Sequence, residues 1–201
     1  MIAIVDYGAG NIFSVKNALD FIGVESVLTA DKNVLESADE IILPGVGAFP
    51  WAMKKLNESG LVDTIKEQSK RKPFLGICLG MQLIFDKGYE FEETEGLGLI
   101  SGSVEKIERT DLSVPHMGWN CLIRNNDCPI LSGLGEDEYV YFVHSYAARC
   151  DDKDVAAYCD YGGKVTALVY DGKFVYGSQF HPEKSGKTGL KMLKNFAELI
   201  K

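Results

Sequence analysis

Pro73-Phe74-Leu75-Gly76-Ile77-Cys78-Leu79-Gly80-Met81-Gln82-Leu83-Ile84-Phe85 is the stretch on which the reading of this chain turns. Pro73 to Ile77 is a short apolar run of the kind that forms a buried strand, and Leu79 to Phe85 reads as a helix. Cys78 stands between them in a Gly-x-Cys-x-Gly frame. That is the form of a nucleophile elbow, in which a sharp strand-to-helix turn projects a reactive side chain above the sheet edge. Small neighbours let the chain pass through such a turn. At the start of a helix the sulfur also meets the positive end of the helix dipole, which favours a thiolate. The competing interpretation is a buried cysteine whose glycines serve only close helix packing.

Outward from this unit, the N-terminal half alternates apolar runs with amphipathic segments, the pattern of parallel strands joined by crossover helices. Ile2 to Val5 reads as a buried strand ended by Asp6-Tyr7-Gly8-Ala9-Gly10. From Asn11 onward Ile12, Val15, Leu19 and Ile22 share a helical face until Gly23 stops the helix. Ser26 to Thr29 and Glu40 to Leu43 are further strands, the second broken by Pro44-Gly45-Val46-Gly47, and helices are expected over 51–57 and 61–70. After Leu97 strands follow one another at 103–108, 119–124, 139–149, 155–161, 165–170 and 174–180. Asp171-Gly172 signals a type I′ hairpin between the last two, and a closing helix carries Leu190, Leu193, Phe196 and Ile200 on one face. The expected fold class is α/β: one domain over residues 1–201, a mixed sheet flanked by helices around a shared core.

Composition narrows the function classes. With 201 residues, 46% of them hydrophobic and 25% charged, the chain is an ordinary globular one and buries enough surface to need no disulfide or structural metal. Twenty-one basic against 29 acidic residues leave a net charge of -8, the wrong sign for wrapping nucleic acid or anionic lipid. No apolar run approaches the ~18 residues of a membrane helix, and the N-terminus lacks a basic leader, so a cytoplasmic location is expected. Five scattered cysteines without a CxxC pair fit a reducing compartment and offer no zinc site.

A thiolate needs a base, and the chain has three histidines, His116, His144 and His181. His181 closes an apolar strand and is followed by Pro182 and Glu183. In an extended segment the His-x-Glu alternation turns imidazole and carboxylate to one side, where the carboxylate holds the tautomer. Acyl chemistry also needs donors for an oxyanion. The Leu79 N–H of the elbow is one, and the Val46 N–H in the Pro44-Gly45-Val46-Gly47 turn is a second candidate, because glycines on both sides free its peptide to rotate. His116 and His144 have no metal-ligand spacing, and Gly8-Ala9-Gly10 lacks the rest of a dinucleotide fingerprint, so neither metal nor cofactor is expected. The acidic run from Glu90 to Glu95 reads as a solvated loop.

Taken together, Pro44-Gly45-Val46-Gly47, Gly76-Ile77-Cys78-Leu79-Gly80-Met81-Gln82 and His181-Pro182-Glu183-Lys184-Ser185 resemble the class I (triad) glutamine amidotransferases. Pro115-His116-Met117-Gly118-Trp119-Asn120 and Tyr141-Phe142-Val143-His144-Ser145-Tyr146 narrow the resemblance to the glutaminase-subunit family of imidazole glycerol phosphate synthases. The resemblance implies a flavodoxin-like, mostly parallel sheet with antiparallel strands in the C-terminal half. It also implies a Cys78-His181-Glu183 triad that splits glutamine into glutamate and ammonia, with Gly47, Gln82, Glu90, Ser145 and Tyr146 contacting the substrate. The partner it implies is a (β/α)8-barrel cyclase that receives the ammonia in a heterodimer, faced by Asn11, Trp119, Tyr141 and Lys184. Finally, it implies that the Gly45–Val46 peptide shows its carbonyl to the site at rest and its N–H when active. Three alternatives stand beside this reading: a paralogous glutaminase feeding a sugar amidotransferase, a non-catalytic relative, and an unrelated cysteine hydrolase acting on esters or peptides.

Overall fold

In the computed structural model, which describes residues 1–108 and 112–200, the apolar runs of the N-terminal half are strands Ile2–Val5 (β1), Ser26–Thr29 (β2), Glu40–Gly45 (β3) and Phe74–Cys78 (β4). Helices Ile12–Phe21 (α1), Lys32–Ser37 (α2), Phe49–Glu58 (α3), Val62–Gln68 (α4) and Leu79–Leu83 (α5) alternate with them or follow them. After α5 come Lys87–Gly88 (β5), Thr94–Glu95 (β6), Gly102–Lys106 (β7), His116–Cys121 (β8), Ile123–Arg124 (β9) and Tyr139–His144 (β10). Tyr146–Cys150 (β11), Val155–Asp160 (β12), Lys164–Tyr170 (β13), Val175–Ser178 (β14) and helix Gly186–Phe196 (α6) complete the chain.

Eight strands form the main sheet in the order β2-β1-β3-β4-β14-β13-β12-β9. From β2 to β14 every pairing is parallel, and from β14 outward every pairing is antiparallel. The expected mixed sheet is therefore present, with two smaller sheets beside it: β11-β7-β5-β6 and the ribbon β10-β8. The chain passes from one small sheet to the other at Ser145. The segment read as one strand over 139–149 breaks there, so β10 pairs with β8 and β11 pairs with β7.

The run Ile2-Ala3-Ile4-Val5 is apolar throughout because both faces of the sheet are covered. Ile2 and Ile4 join Leu19, Leu75, Phe180 and Phe196 on one side, while Ala3 and Val5 join Leu43, Phe49, Phe74 and Phe85 on the other. Each of the larger side chains contributes about 1.5–3 kcal/mol by leaving water. Among the described residues no helix is long and apolar enough to cross a membrane.

Two further local expectations fail. The turn between β13 and β14 is not a two-residue type I′ loop: Tyr170 pairs with Tyr176, and of Asp171-Gly172 only Gly172 has a positive φ, +81°. Asp171 Oδ1 instead accepts the amides of Lys173, Phe174 and Val175 at 2.8–2.9 Å, so an aspartate side chain organises a wider loop. At the C-terminus α6 stops at Phe196, and Ile200 lies beyond it, 52% exposed. Met192 and Asn195 are buried on α6 instead, the latter because its Nδ2 reaches the carbonyls of Ile130 and Ser132.

Candidate active site

Cys78 ends β4 and precedes α5 with φ +55° and ψ -110°, a conformation that costs an L residue roughly 1–3 kcal/mol. The strain is held by backbone packed on backbone. A Cβ on Gly76 would lie 2.5 Å from the Gly80 carbonyl oxygen, one on Gly45 would lie 2.7 Å from the Gly80 amide, and one on Gly80 would run into the Leu43 carbonyl. β3, β4 and α5 thus meet where only glycine fits. The expectation for Gly45 changes accordingly: its missing side chain is explained by close approach to the elbow, and it is Gly47, at φ +102°, that uses a backbone conformation L residues rarely adopt.

His181 Nδ1 lies 2.8 Å from Glu183 Oε1, with the two side chains 3% and 1% exposed. The route to this contact differs from the extended alternation expected. Residues Pro182–Lys184 form a 3₁₀ turn that brings the carboxylate back under the ring, while His181 itself stays extended with its amide on the Tyr141 carbonyl at 3.0 Å. A carboxylate accepts, so Nδ1 donates and Nε2 is left for Cys78. Burial alone pushes the imidazole down, but its hydrogen bonds with Cys78 and Glu183 and their charges outweigh that, raising His181 from 6.5 to about 9. Burial first of all raises the thiols of Cys121, Cys128, Cys150 and Cys159 above their ordinary value.

Above the pair lies a pocket of about 360 Å³, in the size range of small-molecule sites. It gathers Val46, Gly47, Leu79, Gln82, Glu90, Ser145 and Tyr146 with Cys78 and His181, residues spread over most of the chain. Leu79 opens α5, so its amide has no carbonyl one turn back and is free to donate. Glu90 departs from the solvated-loop expectation: half-buried, it accepts the Phe49 amide on Oε2 at 2.7 Å and so caps the start of α3. Two residues at the site escaped the sequence reading. Gln179, fully buried, takes a hydrogen bond from Gln82 on Oε1 and directs Nε2 at Cys78 Sγ from 3.9 Å. Tyr7 donates its hydroxyl to the Pro44 carbonyl at 3.1 Å and so anchors the turn that carries Val46. Gln179 carried a signal, a polar residue between the end of an apolar strand and Phe180; Tyr7, between Asp6 and Gly8 beyond β1, carried none.

Of the residues expected to face a partner, Trp119 is 56% exposed and makes an edge contact with Tyr141 at 6.1 Å, so it is not a core residue. Lys184 is exposed on the 3₁₀ turn, and α1, which follows Asn11, packs against the same turn. His144 lines the pocket but is bonded to His116, and among the described residues no group of three or more His, Cys, Asp or Glu side chains is arranged to hold a metal.

The glutamine amidotransferase class-I family matches residues 3–199. The imidazole glycerol phosphate synthase subunit HisH of Bacillus cereus is 49% identical over 201 residues, covering all of this chain and 95% of that protein. The chain belongs to the HisH branch of the class-I glutamine amidotransferases. The HisH protein of Bacillus anthracis is 48% identical over the same coverage. In fold, this amidotransferase resembles a solved glutamine amidotransferase at TM-score 0.77 and 24% identity, covering 99% of this chain and 98% of the other. It also resembles PurLQS from Thermotoga maritima at TM-score 0.75 and 22% identity, covering 100% and 98%.

Proposed function

We propose that Cys78 is the nucleophile, His181 the base and acid, and Glu183 the group that orients it, within a single amidotransferase domain. As a HisH-branch chain it is the glutaminase subunit of imidazole glycerol phosphate synthase. Sγ attacks the side-chain carboxamide carbon of glutamine while the amides of Leu79 and Val46 receive the oxyanion. His181 hands its proton to the departing nitrogen, ammonia leaves and a γ-glutamyl thioester remains. His181 then takes a proton from water, whose oxygen attacks the thioester and releases glutamate. Gly47, Gln82, Glu90, Ser145 and Tyr146 form the walls that hold the amino acid.

The observation that carries this reading is the convergence of a strained elbow cysteine and a carboxylate-held imidazole on one pocket. The ammonia goes to a cyclase subunit docked over Asn11, Trp119, Tyr141 and Lys184. Full-length identity of 48–49% to HisH proteins favours that acceptor over a sugar amidotransferase. Ammonia lost to water wastes glutamine, so the lone chain is expected to be nearly idle. One missing oxyanion donor at Val46 lowers turnover by ~10²- to 10³-fold, and cyclase with its nucleotide substrate restores it. The test is steady-state glutamate release by the chain alone and with the cyclase and nucleotide. Equal rates refute the channelling role, and full activity in Cys78→Ala refutes the nucleophile.

A further inference from the structure

His116 and His144 face each other at one end of the β8–β10 ribbon, 2% and 6% exposed, and no step above uses them. His144 Nδ1 lies 2.8 Å from the Tyr146 carbonyl oxygen. A carbonyl only accepts, so Nδ1 carries the proton and Nε2 of the neutral ring is an acceptor. Nε2 is 3.0 Å from His116 Nδ1, which therefore carries the His116 proton and leaves Nε2 of that ring to accept from Asn120 Nδ2 at 3.4 Å. One carbonyl thus sets the direction of every bond in the chain. Burial keeps both rings neutral, lowering each from 6.5 to about 4. His116 stacks on both Tyr161 and Phe142, at 3.9 and 4.6 Å between ring centroids, which fixes its plane.

The Tyr146 carbonyl is shared. Gln82 Nε2 donates to it at 3.1 Å and to Gln179 Oε1 at 3.0 Å, and Gln179 Nε2 points at Cys78 Sγ. Both nitrogens of His144 are engaged inside the protein, so this ring is a poor rival to His181 as a base. We propose that the His116–His144 pair is a positioning element of the pocket: by holding the Tyr146 carbonyl it fixes the Ser145–Tyr146 wall and the Gln82 and Gln179 amides that lead to the nucleophile. The proposal rests on the glutaminase reading of the same pocket.

The test uses the complex with the cyclase and its nucleotide. His144→Ala removes one of the two side-chain donors on the buried Tyr146 carbonyl next to the substrate, leaving Gln82 alone on it, and raises KM for glutamine by about tenfold, with kcat within about threefold of wild type, as expected when binding rather than chemistry is lost. His144→Asn places an amide N–H where Nδ1–H was and brings KM back towards wild type. His116→Ala, which removes the donor to His144 and the stacking on Tyr161 and Phe142 but leaves the His144–Tyr146 contact in place, has a smaller effect in the same direction. Independently of activity, nitrogen-15 NMR of the wild type at pH 7 shows both rings neutral with the proton on Nδ1. An unchanged KM in His144→Ala, equal losses in the Ala and Asn variants, a fall in kcat alone, or Nε2–H tautomers overturn the proposal. A wild-type complex that hydrolyses glutamine while His144→Ala matches it sinks this pair alone, whereas a wild-type complex that releases no glutamate sinks the glutaminase reading and the proposal together. If His144→Ala fails to fold, the Asn variant, His116→Ala and the tautomers still decide it.

Discussion

Glu183→Gln keeps the size of the side chain and removes its charge at a contact of 2.8 Å between two nearly inaccessible groups. A hydrogen bond to a charged group is worth about 1.5–3 kcal/mol, and 1.36 kcal/mol corresponds to one pH unit of titration midpoint. Burial alone pushes His181 down, while Cys78 and Glu183 hold it at about 9, so losing the carboxylate while keeping Cys78 lowers the midpoint by roughly 1–2 pH units. A glutamine that turns its NH₂ towards Nδ1 also favours the wrong tautomer, and turnover is expected to fall by about 10²-fold, less than in His181→Ala. The assay is a proton NMR titration of the histidine ring protons, run with glutamate release. It is readable because the chain has three histidines and the other two are lowered to about 4, leaving His181 alone on the alkaline side. A midpoint that stays put in Glu183→Gln, or a wild-type His181 that titrates near 6.5, refutes the reasoning.

His181→Ala is expected to lower turnover in the complex by at least ~10²-fold, while His116→Ala and His144→Ala leave hydrolysis in place; equal losses at His144 and His181 in kcat count against the assignment. Stability should fall on both sides of neutrality. The raised His181 contributes most below 6.5 and loses that contribution as pH rises through about 9; the lowered His116 and His144 contribute most above 6.5 and lose it as pH falls through about 4. Chemical denaturation across pH 4–10 checks this, and a flat profile contradicts it. Tyr7→Phe removes the bond to the Pro44 carbonyl and should cost about 1 kcal/mol, or roughly 2–4 °C in Tm, with a larger proportional loss of turnover because the turn carrying Val46 loosens. Gly80→Ala drives a methyl into the Leu43 carbonyl and should cost at least about 1–3 kcal/mol by calorimetry; a wild-type Tm in this variant means the elbow is not packed as described.

Hydrophobic periodicity and glycine placement were enough, read along the chain, to locate the parallel strands, the elbow and the crossover helices other than the short α2, Lys32–Ser37, because each depends on residues close together in sequence. Ile2–Val5 and Ser26–Thr29 begin and end where the apolar runs do, and Phe74–Cys78 reaches the cysteine expected at its end. The residues expected at the site come from short local motifs, and the fold brings Val46, Gly47, Cys78, Leu79, Gln82, Glu90, Ser145, Tyr146 and His181 to one pocket. What only the tertiary structure decided is how distant segments meet. The break at Ser145 follows from two strands finding different partners, β8 and β7. Gly45, Gly76 and Gly80 turn out to be spacing requirements between β3, β4 and α5, a constraint that no one segment carries. Glu90 became a helix cap because residues 41 positions apart in the chain are neighbours in space. The neutral histidine pair, the Gln82–Gln179 link and the Tyr7 anchor are likewise hydrogen bonds across 28, 97 and 37 positions. A buried polar group takes whichever partner the fold brings to it, and local sequence pattern does not encode that choice.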